Sequence, residues 1–208
     1  MRVLMTGGAG FIGSHLIRSW RAAHPADGVV NLDCLTYAGS SDRLADLEGR
    51  PGYRFVRGSV CEPATVREAM AGCELVIHCA AETHVDRSIT DAAPFIRTNV
   101  EGTLVLLEQA LACGIKRFVY VSTDEVYGSI PEGAADEEAP LKPRSPYAAS
   151  KAAADLLVQS FRATHQLPIV VVRPTNVFGP WQLPEKFIPL CITHGAEGLP
   201  IPLYGDGA

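Results

Sequence analysis

A glycine cluster one strand into the chain constrains the fold more than any other feature. The apolar run Val3–Thr6 leads directly into Thr6-Gly7-Gly8-Ala9-Gly10-Phe11-Ile12-Gly13, which opens a helix. Two glycine spacings are met at once, Gly8-x-Gly10-x-x-Gly13 and Gly7-x-x-Gly10-x-x-Gly13. Glycines placed this way allow a tight turn, close approach of backbone to a pyrophosphate and close packing of helix on strand. Free N–H groups at the helix start then face the phosphates. Glycines also serve ordinary turns, so the second signal matters. Asp33 ends the next apolar run, 20 residues after Gly13. An acid there accepts hydrogen bonds from adenosine ribose hydroxyls and repels a 2′-phosphate, which predicts NAD rather than NADP. The simpler role for Asp33 is to cap the turn that follows.

The remaining apolar runs are Val29–Asp33, Tyr53–Arg57, Leu75–Cys79, Phe118–Ser122 and Ile169–Arg173. Continuous apolar character suits strands buried on both faces of a parallel sheet. Between the last runs, Ile96, Val100, Leu104, Leu107 and Leu111 step by three and four, and Gly114 supplies a C-terminal stop. A second helix is expected from about Pro146 to Thr164, broken by Pro168. Strand–helix alternation predicts an α/β fold, a doubly wound parallel sheet of Rossmann type. Ser129–Pro146, with four prolines and Asp136, Glu137 and Glu138, reads as a surface loop. Seven prolines between Pro168 and Pro202 mark where the sheet domain gives way to something less regular. The expected division is a dinucleotide-binding domain over 1–174 and the incomplete start of a substrate region over 175–208.

Composition excludes several classes. Hydrophobic residues make up 47% and charged residues 20%, as in an ordinary globular protein. Eighteen basic against 23 acidic residues give a net charge of −5 without a Lys/Arg block, which argues against nucleic acid or an anionic membrane as partner. No apolar run is long enough for a membrane span, and the N-terminus reads as a strand rather than a signal peptide. The six cysteines (34, 61, 73, 79, 113, 191) form no C-x-x-C pair and stand at no metal-ligand spacing. Core thiols in a reducing compartment, the cytoplasm, are expected, with no metal.

Tyr147 and Lys151 lie four apart on the predicted helix and therefore on one face. An ammonium near a phenol favours phenolate, lowering the tyrosine pKa toward that of a general base. An incidental surface pair would show the same spacing. Ser122 and Thr123 end the fifth strand, at the carboxyl edge where ligands bind in such sheets, and a hydroxyl there can bond the oxygen that Tyr147 deprotonates.

At these residues the chain resembles the extended short-chain dehydrogenase/reductase superfamily. The resemblance narrows at Ser122-Thr123-Asp124-Glu125-Val126-Tyr127-Gly128, which is similar to the dTDP-glucose 4,6-dehydratase family, where Asp-Glu follows the active-site threonine. Supporting stretches are Ala80–Ser88, Ser145–Lys151 and Arg173–Lys186. The resemblance implies that Tyr147 deprotonates the C4 hydroxyl of a nucleotide-linked glucose while NAD⁺ takes the C4 hydride. The ketone so formed acidifies C5–H. Glu125 then acts as base at C5, Asp124 as acid on the departing C6 hydroxyl, and the hydride returns to C6. Two adjacent carboxyls in a closed pocket cannot both ionise cheaply, so their pKa values should split. A structural alternative makes Asp124-Glu125 a charge pair stabilising a short helix. Other functions on the same scaffold are a UDP-sugar epimerase or decarboxylase and a non-catalytic NAD-binding module.

Further assignments follow from the resemblance alone. Gly7, Gly10, Phe11, Ile12 and Gly13 would meet the pyrophosphate, and Asp33, Cys34, Leu35 and Thr36 the adenosine ribose. Ser59 and Val60 would face the adenine; Ala80, Ala81, Thr83, Thr98 and Val177 would line the dinucleotide, joined by Tyr147 and Lys151. His84, Thr123, Asn176 and Lys186 would face the sugar nucleotide, with a structural role for His84 as the alternative. His15, His24, His165 and His194 read as helix faces and loops. The chain departs from the family at Cys34, where lysine is common, and at Ser59, where an aspartate usually contacts adenine; weaker NAD binding is expected. Family members continue past Tyr204-Gly205-Asp206-Gly207, so the sequence reads as a C-terminally truncated enzyme. A homodimer is implied, with the helices of Leu104–Leu111 and Tyr147 as candidates for the contact.

Overall fold

Six runs of apolar residues become six parallel strands. In the computed structural model, which describes residues 1–203, these are β1 (Arg2–Thr6), β2 (Gly28–Asp33), β3 (Tyr53–Arg57), β4 (Leu75–His78), β5 (Arg117–Val121) and β6 (Ile169–Val172). Each lies within one residue of its expected bounds. The strand order is β3-β2-β1-β4-β5-β6. From β3 the chain crosses to the far side of β1, so β1 and β4 are neighbours from which the connections diverge. A crevice opens at such a switch point, outside the carboxyl ends of the strands. Those ends are level: Thr6 pairs with Leu32 on one side and His78 on the other, and His78 with Tyr120.

Alternation along β1 shows both faces covered. Leu4 belongs to a core with Val30, Val76, Phe118 and Tyr120, under α2 (Pro63–Met70), α5 (Gly102–Ala112) and α6 (Pro146–His165). Val3 and Met5 point the other way, into a second core with Ile77 and with Ile17 of α1 (Phe11–Ala23). Burial on both faces is why these strands read as unbroken apolar runs. Two short helices, α3 (Val85–Thr90) and α4 (Ala93–Phe95), follow β4.

One helix departs from expectation. The stripe Ile96, Val100, Leu104, Leu107, Leu111 is not the face turned inward: only Leu107 of the five is fully buried, and Ile96 is 45% exposed. The buried residues are Phe95, Asn99, Gly102, Thr103, Leu106, Leu107, Gln109 and Ala110. Residues Ile96–Glu101 form a π-helical segment, whose i→i+5 bonding adds a residue to the turn and offsets the faces on either side. Three of the inward positions, Asn99, Thr103 and Gln109, are polar, so hydropathy alone selects the wrong stripe. The expected stop at Gly114 is present. It has φ of 65°, with Ile115 N bonded to Ala110 O and Gly114 N to Leu111 O, a Schellman ending. Helix α6 ends at Gln166 in left-handed conformation, two residues before Pro168.

The chain divides into two compact units, one of Met1–Thr175 and one beginning at Asn176. The expectation that the proline-rich stretch would be irregular is corrected within the second unit, where α7 spans Phe187–Glu197. Pro189 stands at its third position, where a missing N–H costs no intrahelical bond, and left-handed Gly198 terminates it. Tyr204 to Ala208 lie outside the described residues. Among the described residues no helix is long and apolar enough to cross a membrane.

The inverted helix face makes a contrast. Leu106→Ala should cost about 2–5 kcal/mol in urea unfolding, whereas Ile96→Ala should stay within about 0.5 kcal/mol. Equal losses at the two positions would contradict the π-helical offset.

Candidate active site

The turn after β1 is built for glycine. A Cβ at Gly7 would stand 2.6 Å from Ala80 N, one at Gly8 2.2 Å from Asn31 Oδ1, and one at Gly13 2.2 Å from Gly7 O. Gly7 also has φ of 70°. Gly10 is different: its Cβ would meet only Gly7 O at 3.1 Å, so its small size leaves open room above the turn. Gly10 is the N-cap of α1, and no side chain caps the helix or adds an acid to its first turn. The donors of Phe11, Ile12 and Gly13 therefore start a helix without a protein anion, the arrangement that suits a phosphate. Asp33 caps the turn that follows, as its simpler role predicts, and makes a second contact that the sequence does not predict. Oδ2 accepts from Ala9 N at 2.9 Å, bracing the glycine turn, and Oδ1 accepts from Leu35 N at 2.8 Å, capping the next one. Leu35 is held at φ of 55°, a left-handed conformation that non-glycine residues seldom take outside functional loops. A dinucleotide fits this turn: a glycine-walled cradle, an uncapped helix start and an acid at the end of the adjoining strand.

At the far side of the crevice, α6 begins with Ser145 as N-cap and carries Tyr147 and Lys151 one turn apart. Both are buried. Lys151 Nζ donates to Val121 O at 2.7 Å and lies 4.4 Å from the centre of the Tyr120 ring. Burial lowers its pKa to about 8, while Cys79 and Asp155 pull the other way. The expectation that Lys151 would lower the Tyr147 pKa is corrected. Burial raises Tyr147 to about 12, the negative charges of Glu125 and Asp124 add to the rise, and only a hydrogen bond with Thr123 opposes it. The ammonium is directed at a strand carbonyl and an aromatic face.

Asp124 and Glu125 stand in a single 3₁₀ turn, Asp124–Tyr127, whose N-cap is Thr123. Thr123 Oγ accepts from Glu125 N at 3.3 Å and donates to Asp124 Oδ1 at 3.3 Å. The pair is thus a first-turn charge pair on a short helix, and it also faces Tyr147. Gly128 ends the turn at φ of 78°, with Lys142 O 2.1 Å from where a Cβ would be.

The supporting hydrogen bonds come from residues that periodicity does not single out. Asn99, in the π-helical segment, donates to Glu82 O at 3.0 Å and Ser150 Oγ at 2.8 Å and accepts from Glu82 N at 2.9 Å. Ser150 Oγ passes on to Tyr147 O at 2.7 Å, and Tyr147 N donates to Ser88 Oγ of α3 at 3.1 Å. One amide therefore ties the loop after β4 to the helix bearing Tyr147. Beneath them, fully buried His78 lies between Thr6 Oγ1 (2.7 Å) and Thr103 Oγ1 (3.0 Å). Burial lowers its pKa to about 3, so it serves as a neutral ring joining β1, β4 and α5. The legible signal was polar residues on an otherwise apolar helix face.

Other expected residues take mixed positions. Cys34 and Thr36 are exposed in the loop after β2, and Ala80, Ala81 and Thr83 follow β4 at the same edge. Thr98 is half-buried in the π-helical segment. The Val60 side chain belongs to the hydrophobic core, so only its backbone is left for adenine. Ser59 Oγ accepts from Cys61 N at 3.1 Å, which commits the hydroxyl oxygen to a turn. His84 is the N-cap of α3, its ring accepting from Arg87 N at 3.4 Å. Asn176, Val177 and Lys186 belong to the second unit.

Buried Lys151 has a pH signature. Its folded pKa is depressed to about 8, so the unfolded chain binds the extra proton between there and the ordinary lysine value. The cost of keeping this ammonium inside is roughly 3 kcal/mol at neutral pH and is relieved as pH rises through 8. The stability of Lys151→Met relative to the natural chain should therefore fall by about 2–3 kcal/mol between pH 7 and pH 10. Denaturant unfolding at both values checks this, and a pH-independent difference would contradict it.

Comparison with known proteins agrees with this geometry. The NAD dependent epimerase/dehydratase family matches residues 3–208. The chain is 53% identical to a dTDP-glucose 4,6-dehydratase of Streptomyces niveus, over 100% of its own length and 63% of that protein's. It superposes on the crystal structure of a dTDP-glucose 4,6-dehydratase from Streptomyces venezuelae with NAD and TYD bound, with a TM-score of 0.96 and 50% identity, covering 100% of this chain and 66% of that one. A UDP-glucose 4-epimerase of Thermotoga maritima with UDP-glucose gives a TM-score of 0.90 at 29% identity, covering 67% of that chain. The chain thus spans just under two thirds of the length of the dehydratases it matches. With a glycine-walled dinucleotide turn, a Tyr147/Lys151 helix and a match from residue 3 onward, the chain belongs to the NAD dependent epimerase/dehydratase family.

Proposed function

We propose that the chain carries the cofactor-binding and acid–base machinery of a dTDP-glucose 4,6-dehydratase, acting on a nucleotide-diphospho-glucose to form the 4-keto-6-deoxy sugar. The observation that carries this reading is Asp124-Glu125 on a threonine-capped turn beside Tyr147. Removal of water across C5–C6 needs one group to take the C5 proton and another to protonate the departing C6 oxygen. Two carboxyls on one turn supply both. Epimerisation and decarboxylation on the same scaffold need no such pair, and the identity to dehydratases exceeds that to the epimerase.

Each residue then has a task. The backbone donors of Phe11, Ile12 and Gly13 hold the pyrophosphate over Gly7 and Gly10, and Asp33 holds the adenosine ribose beside Cys34, Leu35 and Thr36. Ser59 and the Val60 backbone meet the adenine, while Ala80, Ala81, Thr83, Thr98, Lys151 and Val177 border the rest of the dinucleotide. When bound, NAD⁺ supplies the acceptor for the C4 hydride and its return to C6, together with a positive charge that favours the Tyr147 phenolate. Tyr147 takes the C4 hydroxyl proton while Thr123 orients the oxygen. Glu125 removes the C5 proton, and Asp124 protonates the C6 hydroxyl as it leaves. His84, Asn176 and Lys186 face the sugar nucleotide, the lysine ammonium suiting a diphosphate. A homodimer in the cytoplasm completes the reading, supported for its compartment by six free thiols.

Incubation with dTDP-glucose, followed by alkaline absorbance of the keto sugar, tests the proposal. Glu125→Gln and Tyr147→Phe should each lower the rate by roughly 10²–10⁴-fold. Product formation that survives both substitutions would remove these residues from the mechanism. Calorimetric titration tests the cofactor separately: NAD should bind about tenfold or more tightly than NADP, and Asp33→Asn should narrow that gap. Equal affinity in the natural chain would take the ribose away from Asp33.

A further inference from the structure

A buried ion pair lies behind the acidic turn, outside every task assigned above. Asp155, fully buried, stands one turn after Lys151 on α6. Arg173, immediately after β6, donates to it through Nε at 2.8 Å and Nη2 at 3.0 Å. Ser122 Oγ, at the end of β5, donates to the same carboxylate at 3.0 Å, and Gln159 Nε2 at 2.7 Å. Four donors therefore fix this guanidinium–carboxylate pair in one place. What remains of the guanidinium points elsewhere. Nη1 donates to Tyr127 Oη at 2.7 Å and to Glu137 O at 3.0 Å. Tyr127 is the last residue of the turn that bears Asp124 and Glu125, and the first is held by the neighbouring residue, Asp124 N donating to Pro174 O at 3.1 Å. The turn is gripped at both ends by consecutive residues of one strand terminus.

An ion pair serving stability alone has no use for these contacts, since a buried pair contributes little net stability over an apolar replacement. A planar guanidinium with donors in a fixed fork is suited to transmit position between elements. We infer that Arg173 is a positioning residue, anchored by Asp155 to the helix of Tyr147 and Lys151, which sets through the Tyr127 phenol where the Asp124 and Glu125 carboxyls stand relative to that helix. The catalytic consequence rests on the dehydratase reading; the mechanical one does not. Arg173 touches no reacting atom and acts only through the turn. An error of about 1 Å in a catalytic group can cost roughly 10²-fold in rate, so such a brace is worth its burial.

Tyr127→Phe removes one oxygen and leaves the Asp155–Arg173 pair intact, which makes it the informative variant. Amide exchange of Val126, Gly128 and Lys142, whose backbone groups close the turn, should accelerate about tenfold or more, while Leu4 and Met5 of β1 stay unchanged. Unchanged exchange around the turn overturns the inference. With dTDP-glucose and NAD, the variant should form keto sugar about tenfold or more slowly at unchanged KM. It should also accumulate the absorbance of reduced nicotinamide, because C4 oxidation draws on Tyr147 and on Thr123 at the head of the turn, the opposite end from Tyr127, whereas elimination draws on the two carboxyls inside it. Equal slowing of reduction and elimination, or a rise in KM alone, overturns it. Should neither this chain nor one extended to the length of the matched dehydratases form keto sugar, the dehydratase reading fails, and the exchange measurement still decides whether Arg173 holds the turn.

Discussion

The register of α6 against the carboxyl end of β5 is the constraint on which the site depends. Four contacts set it, each from a different partner: Tyr147 N to Ser88, Ser150 to Asn99, Lys151 to the Val121 carbonyl, and Asp155 to Ser122. They recur at close to one helical turn, so they lie along a single face. A helix sliding by one residue would rotate by about 100° and lose all four together. The phenol of Tyr147, the hydroxyl of Thr123 and the two carboxyls meet only because this face is locked to the strand that precedes the acidic turn.

Burial then sets the electrostatics. Lys151 at about 8, Tyr147 at about 12, Cys79 at about 12 and His78 at about 3 are all displaced toward their neutral forms. Burial and the carboxylates of Asp124 and Glu125 hold Tyr147 protonated at neutral pH, although Lys151 still carries its charge there. The lysine–tyrosine spacing that suggested direct activation in the sequence is real, but the lysine is turned to the sheet.

Much of the fold could be read from local pattern, and the reason is physical. Doubly buried strands leave unbroken apolar runs, and tight turns leave glycines, so the six strands, Gly7, Gly13 and Gly114 declare themselves. The helix before β5 misleads because its inward face carries Asn99 and Thr103 and because a π-helical turn shifts the phase. Helix α7 escapes notice because proline density masks a helix whose only internal proline sits in its first turn. At the site, Thr123, Asp124, Glu125, Tyr147 and Lys151 stand together at one sheet edge, as their motifs suggest. The brace of Asp155, Arg173 and Tyr127 and the Asn99 bridge were beyond reach, since each joins residues whose nearness exists only in three dimensions.

The hydrogen bonds of Asn99 also bear on how the site comes into being. Its partners Glu82 and Ser150 lie 17 and 51 residues away, and His78 reaches 72 residues back to Thr6. Each contact of such separation requires the closure of a long loop. A chain in which β1, β4 and β5 have paired but α6 has not docked already owns the glycine turn and most of its core, yet holds no assembled acid–base group. The packing that shapes the glycine turn is therefore distinct from the packing that gathers the titratable groups, and damage to one need not reach the other.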